Sequence, residues 1–194
     1  MGAAAFRAAL ADFESGREQQ GKLRREFTFE DVAAPKRLAP YASAIAATIT
    51  REETDVAWGR LVLLYDPEGQ ESWAGTFRMI AYVRADVDPE IAADPLLGQV
   101  GWSWLTEALE AHVPGYAASS GTVTRVITEG FGTKADEEPL TGFELRASWS
   151  PAGDVDPALA AHVAAWCDCL CAAAGLPPQA PGTRALSGVQ RRRR

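Results

Sequence analysis

Residues 56–85 read VAWGRLVLLYDPEGQESWAGTFRMIAYVRA, and this stretch decides the fold. Its first part, VAWGRLVLLY (56–65), ends in an unbroken apolar run, the mark of a central strand. DPEG (66–69) is a turn signal, because proline presets φ at its second position and glycine tolerates a positive φ. WAGTFRMIAYVRA (73–85) returns as the partner strand, with Arg78 alternating against Phe77 and Met79. The pair is a hairpin.

Working outward, a second hairpin is expected from GTVTRVIT (121–128) and GFELRASWS (142–150), across the polar loop EGFGTKADEEPLT. In the latter strand Phe143, Leu145, Ala147 and Trp149 alternate with polar neighbours, so one face is buried and the other wet. VGWSWLTEALEAHV (100–113) has helical periodicity and stops at Pro114-Gly115. Residues 3–20 place Phe6, Leu10 and Phe13 on one stripe and read as a peripheral helix. REFTFEDV (25–32) is a short strand, and YASAIAATIT (41–50) is read as a short helix behind Pro40. APKRLAP and ADVDPEIAADPLLG are connectors. A last helix is opened by Asp154 or Asp156, carries Pro157 in its first turn and is closed by Gly175.

The expected order is α-(β)-α-β-β-α-β-β-α. It describes an α+β two-layer sandwich, with a mostly antiparallel sheet and helices on one face. One domain is expected over residues 1–180, followed by a basic, poorly ordered tail over 181–194.

Six landmarks, in order, carry a resemblance. They are LAPYASAI (38–45), the hairpin 59–85, ADPLLGQVGWSWLTEALEAH (93–112), GTVTRVITEGFG (121–132), ELRASWSP (144–151) and WCDCLCAAAGLPP (166–178). Together they resemble an actinobacterial protein family of unknown function. The resemblance implies a cytoplasmic bacterial protein and brings no catalytic residue or cofactor with it.

Composition narrows the function classes. The net charge is −7 with 47% hydrophobic residues, so nucleic acid is not the favoured partner, since phosphate binding needs a basic field. No apolar run reaches the length of a membrane span, and the N-terminal stretch, broken by Arg7 and Asp12, does not read as a signal peptide. The three cysteines, Cys167, Cys169 and Cys171, sit in C-x-C-x-C and fit a reducing cytoplasm. On a helix each residue turns about 100°, so three ligands at this spacing cannot face one ion. Structural zinc needs four ligands, usually in two pairs, and no second pair exists. The reading is one core residue, Cys167, with two flanking ones, and no metal or cofactor is expected.

His112 reads as a charge near a helix C-terminus; catalysis would need a carboxylate or nucleophile in reach. No G-x-S-x-G elbow and no phosphate-binding glycine loop occurs, so no catalytic residue is assigned. Asp86, Asp88 and Glu90 begin like a calcium loop but lack its glycine and its closing glutamate.

What remains is a polar set on the strands: Arg60, Arg78, Arg125 and Arg146, with Arg84 beside them. With helices on one face, several of these share the other. Arg donates in a fork suited to carboxylates and other anions, although ion pairing on a wet sheet is the plainer explanation. Trp73 and Trp102 are the tryptophans expected to line a groove. The favoured function is a non-catalytic binding domain, its partner a protein or a small anionic ligand held by the sheet face or a Trp-lined groove. The alternative is a small enzyme or nucleic-acid-associated factor acting through an arginine-bearing face.

Overall fold

The computed structural model describes residues 2–153 and 157–177. Six strands form one antiparallel sheet: β1 (Phe27–Asp31), β2 (Tyr41–Arg51), β3 (Thr54–Gln70), β4 (Gly75–Asp86), β5 (Tyr116–Thr128) and β6 (Leu140–Pro151). The spatial order is β1-β2-β3-β4-β6-β5. Helices α1 (Gly2–Leu23), α2 (Pro89–Ala93), α3 (Leu97–His112) and α4 (Leu159–Ala173) complete the described elements. The fold is α+β, as expected, and its element order differs most at one place, with a short added helix, α2, as the other difference.

That place is residues 41–51. Ala-rich YASAIAATITR is strand β2, not a helix. Its register explains why: Ile45, Ala47 and Ile49 stand beside Leu61, Gly59 and Ala57 of β3 and point into the main core. Pairing on both edges, with β1 and β3, overrides the helix preference of alanine. The β2–β3 turn is Glu52-Glu53, and both residues have positive φ, at 50° and 66°. This is the φ pattern of a type I′ hairpin turn, made without the Asn-Gly that normally announces it. The expected turn at 66–69 also moves. β3 continues to Gln70, and the chain reverses through the 3-10 turn Glu71–Trp73 and Ala74, whose φ is 55°. Within the connector 86–97, Pro89–Ala93 forms α2.

One face of the sheet is covered by helices. Ile45, Leu61, Leu63, Met79, Val83, Phe143, Leu145 and Trp149 are fully buried there, each worth roughly 1.5–3 kcal/mol relative to exposure. α4 is the middle helix, packed between α1 and α3 above β3 and β4. Gly16 of α1 and Ala160 of α4 mark a close approach: a Cβ on Gly16 would lie 2.7 Å from the Ala160 Cα. α1, expected at the periphery, places Phe13 fully in the core.

α4 begins at Leu159, so Pro157 lies ahead of its first turn; Asp154 and Asp156, expected to cap it, are outside the described residues. From α1, Asp12 Oδ2 accepts a hydrogen bond from the Ala160 N–H at 3.0 Å, satisfying one donor of the first turn of α4. At the other end Gly175, with φ 66°, closes α4, and the Leu176 N–H donates to the Cys171 carbonyl at 2.9 Å.

Because α4 is covered on several sides, all three cysteines are buried, not Cys167 alone. Burial pushes the Cys169 and Cys171 thiols up to about 12 and Cys167 well above its ordinary value; neighbouring thiols and Asp168 add to this at Cys167 and Cys169. The thiolate is the reactive form. Native protein is therefore expected to react with a thiol reagent such as DTNB only at its unfolding rate, with all three thiols appearing in denaturant. Rapid labelling of any one thiol in the native state would contradict this.

Candidate functional site

Among the described residues no helix lies on the second sheet face. The register sets its rows. Arg60, Tyr82, Arg146 and Thr122 lie side by side across β3, β4, β6 and β5, and Trp58, Arg84, Glu144 and Thr124 form the next row. On the other side of the arginine row stand Val62, Ile80 and Ser148.

Part of this face is covered by the chain itself. Ala44, Val62, Leu64 and Trp73 form a small second core, with Val32, Ala34, Ala39, Ala42 and Ile80 packed against it. The segment 32–40, read as a mere connector, is thus a strap across the open face. Its Ala33 carbonyl accepts a hydrogen bond from Arg60 Nη2. Beside the strap lies a groove of about 230 Å³ lined by Pro35, Leu38, Arg60, Val62, Ile80 and Tyr82. Its floor is apolar, and Leu38 at its rim is 50% exposed.

Next to the groove is an aromatic and charged cluster. Trp58, 39% exposed, meets Tyr82 edge to face at 5.5 Å between centroids. The Arg146 guanidinium sits 5.2 Å from the Tyr82 ring centre, a cation–π geometry. Arg146 also pairs with Glu144 at 2.9 Å. Burial, then Glu144, raises the Tyr82 hydroxyl pKa, and Arg146 and Arg84 oppose the rise. Trp58 is not among the tryptophans expected from the sequence to line a groove. The signal was present: Trp58 shares its parity with Arg60, not with Leu61 and Leu63.

The expected site residues do not converge. Arg60 and Arg146 belong to the face just described. Arg78 is on the same face but 8% exposed, and it works inside the sheet. Its Nη1 donates to the Ala118 carbonyl and Ser150 Oγ at 2.9 and 3.2 Å, and Nη2 to Ser148 Oγ at 2.6 Å. Ala118 lies in the β5 bulge, with φ 49°, so Arg78 holds that irregularity in place. Burial lowers the Arg78 pKa.

Arg125 is on the opposite face. It pairs with Phe143 and donates through Nη1 to the Asp94 carbonyl at 3.0 Å. Trp73 is 8% exposed in the second core. Trp102 lies on the helix side against Gly121, where a Cβ would come within 2.6 Å of its ring. The two tryptophans therefore share no groove.

His112 does find a carboxylate. Its Nε2 is 2.7 Å from Asp168 Oδ2, with both side chains about one-third exposed. The pair ties the end of α3 to α4 at the surface, and no nucleophile joins its hydrogen bonds among the described residues. No group of three His, Cys, Asp or Glu there is placed to hold a metal ion. No described helix is long and apolar enough to cross a membrane.

Comparison with known sequences returns a match over residues 3–183 to the family described as "Protein of unknown function (DUF3000)". The chain belongs to the DUF3000 family. No curated protein and no solved structure matches it. The match covers every described strand and helix except the first residue of α1. In this DUF3000 chain the helix-free sheet face is thus part of the family region, not an appendage to it.

Proposed function

We propose that the protein is a non-catalytic binding domain of the cytoplasm whose helix-free sheet face holds a partner protein. The partner seats an apolar side chain in the groove between Leu38 and Tyr82. Its flanking carboxylate meets the arginines of the adjoining rows. One observation carries this reading: an apolar groove opens directly beside Trp58, Tyr82 and Arg146 on a sheet face that no described helix covers. Across β3, β4 and β6 those rows hold Arg60, Arg84 and Arg146 against Glu144, and Glu30 of β1 stands at the far end of the Arg60 row, so three arginines face two acids and the local charge favours an acidic partner despite the net charge of −7. Apolar pockets beside aromatic and arginine anchors are where interface energy concentrates. Three unpaired cysteines agree with a reducing compartment.

The test compares wild type with Leu38→Glu/Arg146→Glu in affinity capture from the native host. Leu38 and Arg146 are exposed, so the fold should survive the change. The double variant is expected to bind the wild-type partner at least about tenfold more weakly, a loss of about 1.4 kcal/mol. Equal capture by both proteins would sink the proposal.

A second reading, a single-stranded nucleic-acid surface, is favoured by the exposed Trp58 next to Tyr82 and Arg146, since bases stack on such platforms. It requires salt-dependent quenching of Trp58 fluorescence by an oligonucleotide, absent in Trp58→Phe.

A further inference from the structure

The two edges of the sheet are guarded differently. β1 is five residues long and ends in Glu30 and Asp31, and Arg17 of α1 holds Asp31. Short, charged, helix-tied edges resist pairing with other chains. β5 is thirteen residues long, contains no proline and has Arg125 as its one charged residue. Among the described residues it is the outer strand, paired with β6 alone. A bulge interrupts it between Ala117 and Ser120, but from Ser120 to Thr128 its ladder with β6 is unbroken. Arg125 does not protect this edge, because its guanidinium is drawn over the helix face to the Asp94 carbonyl.

We propose that β5 is the seam of a two-fold homodimer, in which β5 pairs antiparallel with β5 of a second copy. A two-fold pair keeps the sum of opposed residue numbers constant, so the seam can be checked against itself. With the axis at Val123, Thr122 lies opposite Thr124 of the second copy, and Arg125 lies opposite Gly121. No like charges face each other across the seam. Ile127, 53% exposed, comes to the bulged end of the second copy's β5. Phe131, 80% exposed beyond the end of β5, comes to the Tyr116 end of the second copy. These features favour a second copy over a foreign strand: about this axis the one charge of each strand falls opposite a glycine, and the exposed Phe131 of one copy comes to the aromatic Tyr116 end of the other. Residues of one face meet residues of the same face, so the two helix-free faces become continuous.

Sedimentation velocity of the full chain up to roughly 100 µM tests this, since dimer population depends on protomer concentration. Wild type is expected to show a concentration-dependent dimer. Thr122→Lys/Thr124→Lys, which sets four lysines against one another at exposed positions, is expected to run as a monomer with an unchanged circular dichroism spectrum. Val123→Cys is expected to cross-link into a covalent dimer under mild oxidation, the native thiols being buried. A wild type that stays monomeric throughout overturns the proposal. So does a dimer that survives the lysine pair and gives no cross-link at 123.

Discussion

Between pH 6.5 and pH 4 the folded protein is expected to lose about 3 kcal/mol of stability through His162 alone. His162 is fully buried on α4. Its Nδ1 accepts a hydrogen bond from Trp149 Nε1 at 3.0 Å. The neutral ring therefore carries its proton on Nε2, which is buried without a partner among the described residues. Burial lowers its pKa from 6.5 to about 4. The unfolded chain thus binds a proton below pH 6.5 that the folded chain refuses until about pH 4. The stabilisation is complete above the unfolded value and falls as pH drops through that window. Urea midpoints at pH 7, 5.5 and 4.5 measure the loss. His162→Asn, whose amide can still accept from Trp149, is expected to flatten this part of the profile. If the variant kept the wild-type slope, another group would be responsible.

Gly16→Val is expected to destabilise the fold by about 3 kcal/mol or more, the upper range for overpacking. The new side chain would meet the Ala160 Cα at 2.7 Å and the Ala160 carbonyl oxygen at 2.9 Å. Both are backbone, so no rotamer change relieves the clash and α1 must move off α4. That motion would withdraw Asp12 from the α4 N-terminus and Phe13 from the core. Because the obstacle is main chain, Ala160→Gly should not rescue the variant. Gly101→Ala offers the contrast: its Cβ would strike the Phe143 ring at 2.2 Å, and there a smaller side chain, Phe143→Leu, should restore part of the loss. Thermal or urea unfolding of the four proteins separates the cases. Rescue of Gly16→Val by Ala160→Gly would contradict the packing described.

Elements whose burial is local to one strand or helix were legible in the sequence. Phe143, Leu145, Ala147 and Trp149 announce their inward face by alternation. Arg146 is thereby sent to the open face, where it lies. Gly175 closes α4 as its position suggests. The misreadings share a cause, which is that distant residues decide the local outcome. β2 is a strand because β1 and β3 flank it, and its Glu52-Glu53 turn lacks the residues that advertise a hairpin. The cysteines divide into core and flank only on an isolated helix; α1 and α3 close over the flank.

The site was half legible. Arg60 and Arg146 follow from parity. Arg125 could have been set aside by the same rule, since it shares its parity with the inward Val123. Arg78's role depends on a β5 bulge that no local pattern marks. The strap and the groove beside it arise only when residues 32–40 fold over β2 and β3.

If the proposed function holds, the helix-free face is occupied when the protein is at work. Carbene footprinting of the protein inside its native cells, compared with the purified chain, tests it most directly. Labelling of Leu38, Trp58 and Tyr82 is expected to fall in cells, while His112 and the exposed end of α3 label equally in both settings. Equal labelling of Leu38, Trp58 and Tyr82 in cells and in isolation would contradict the account.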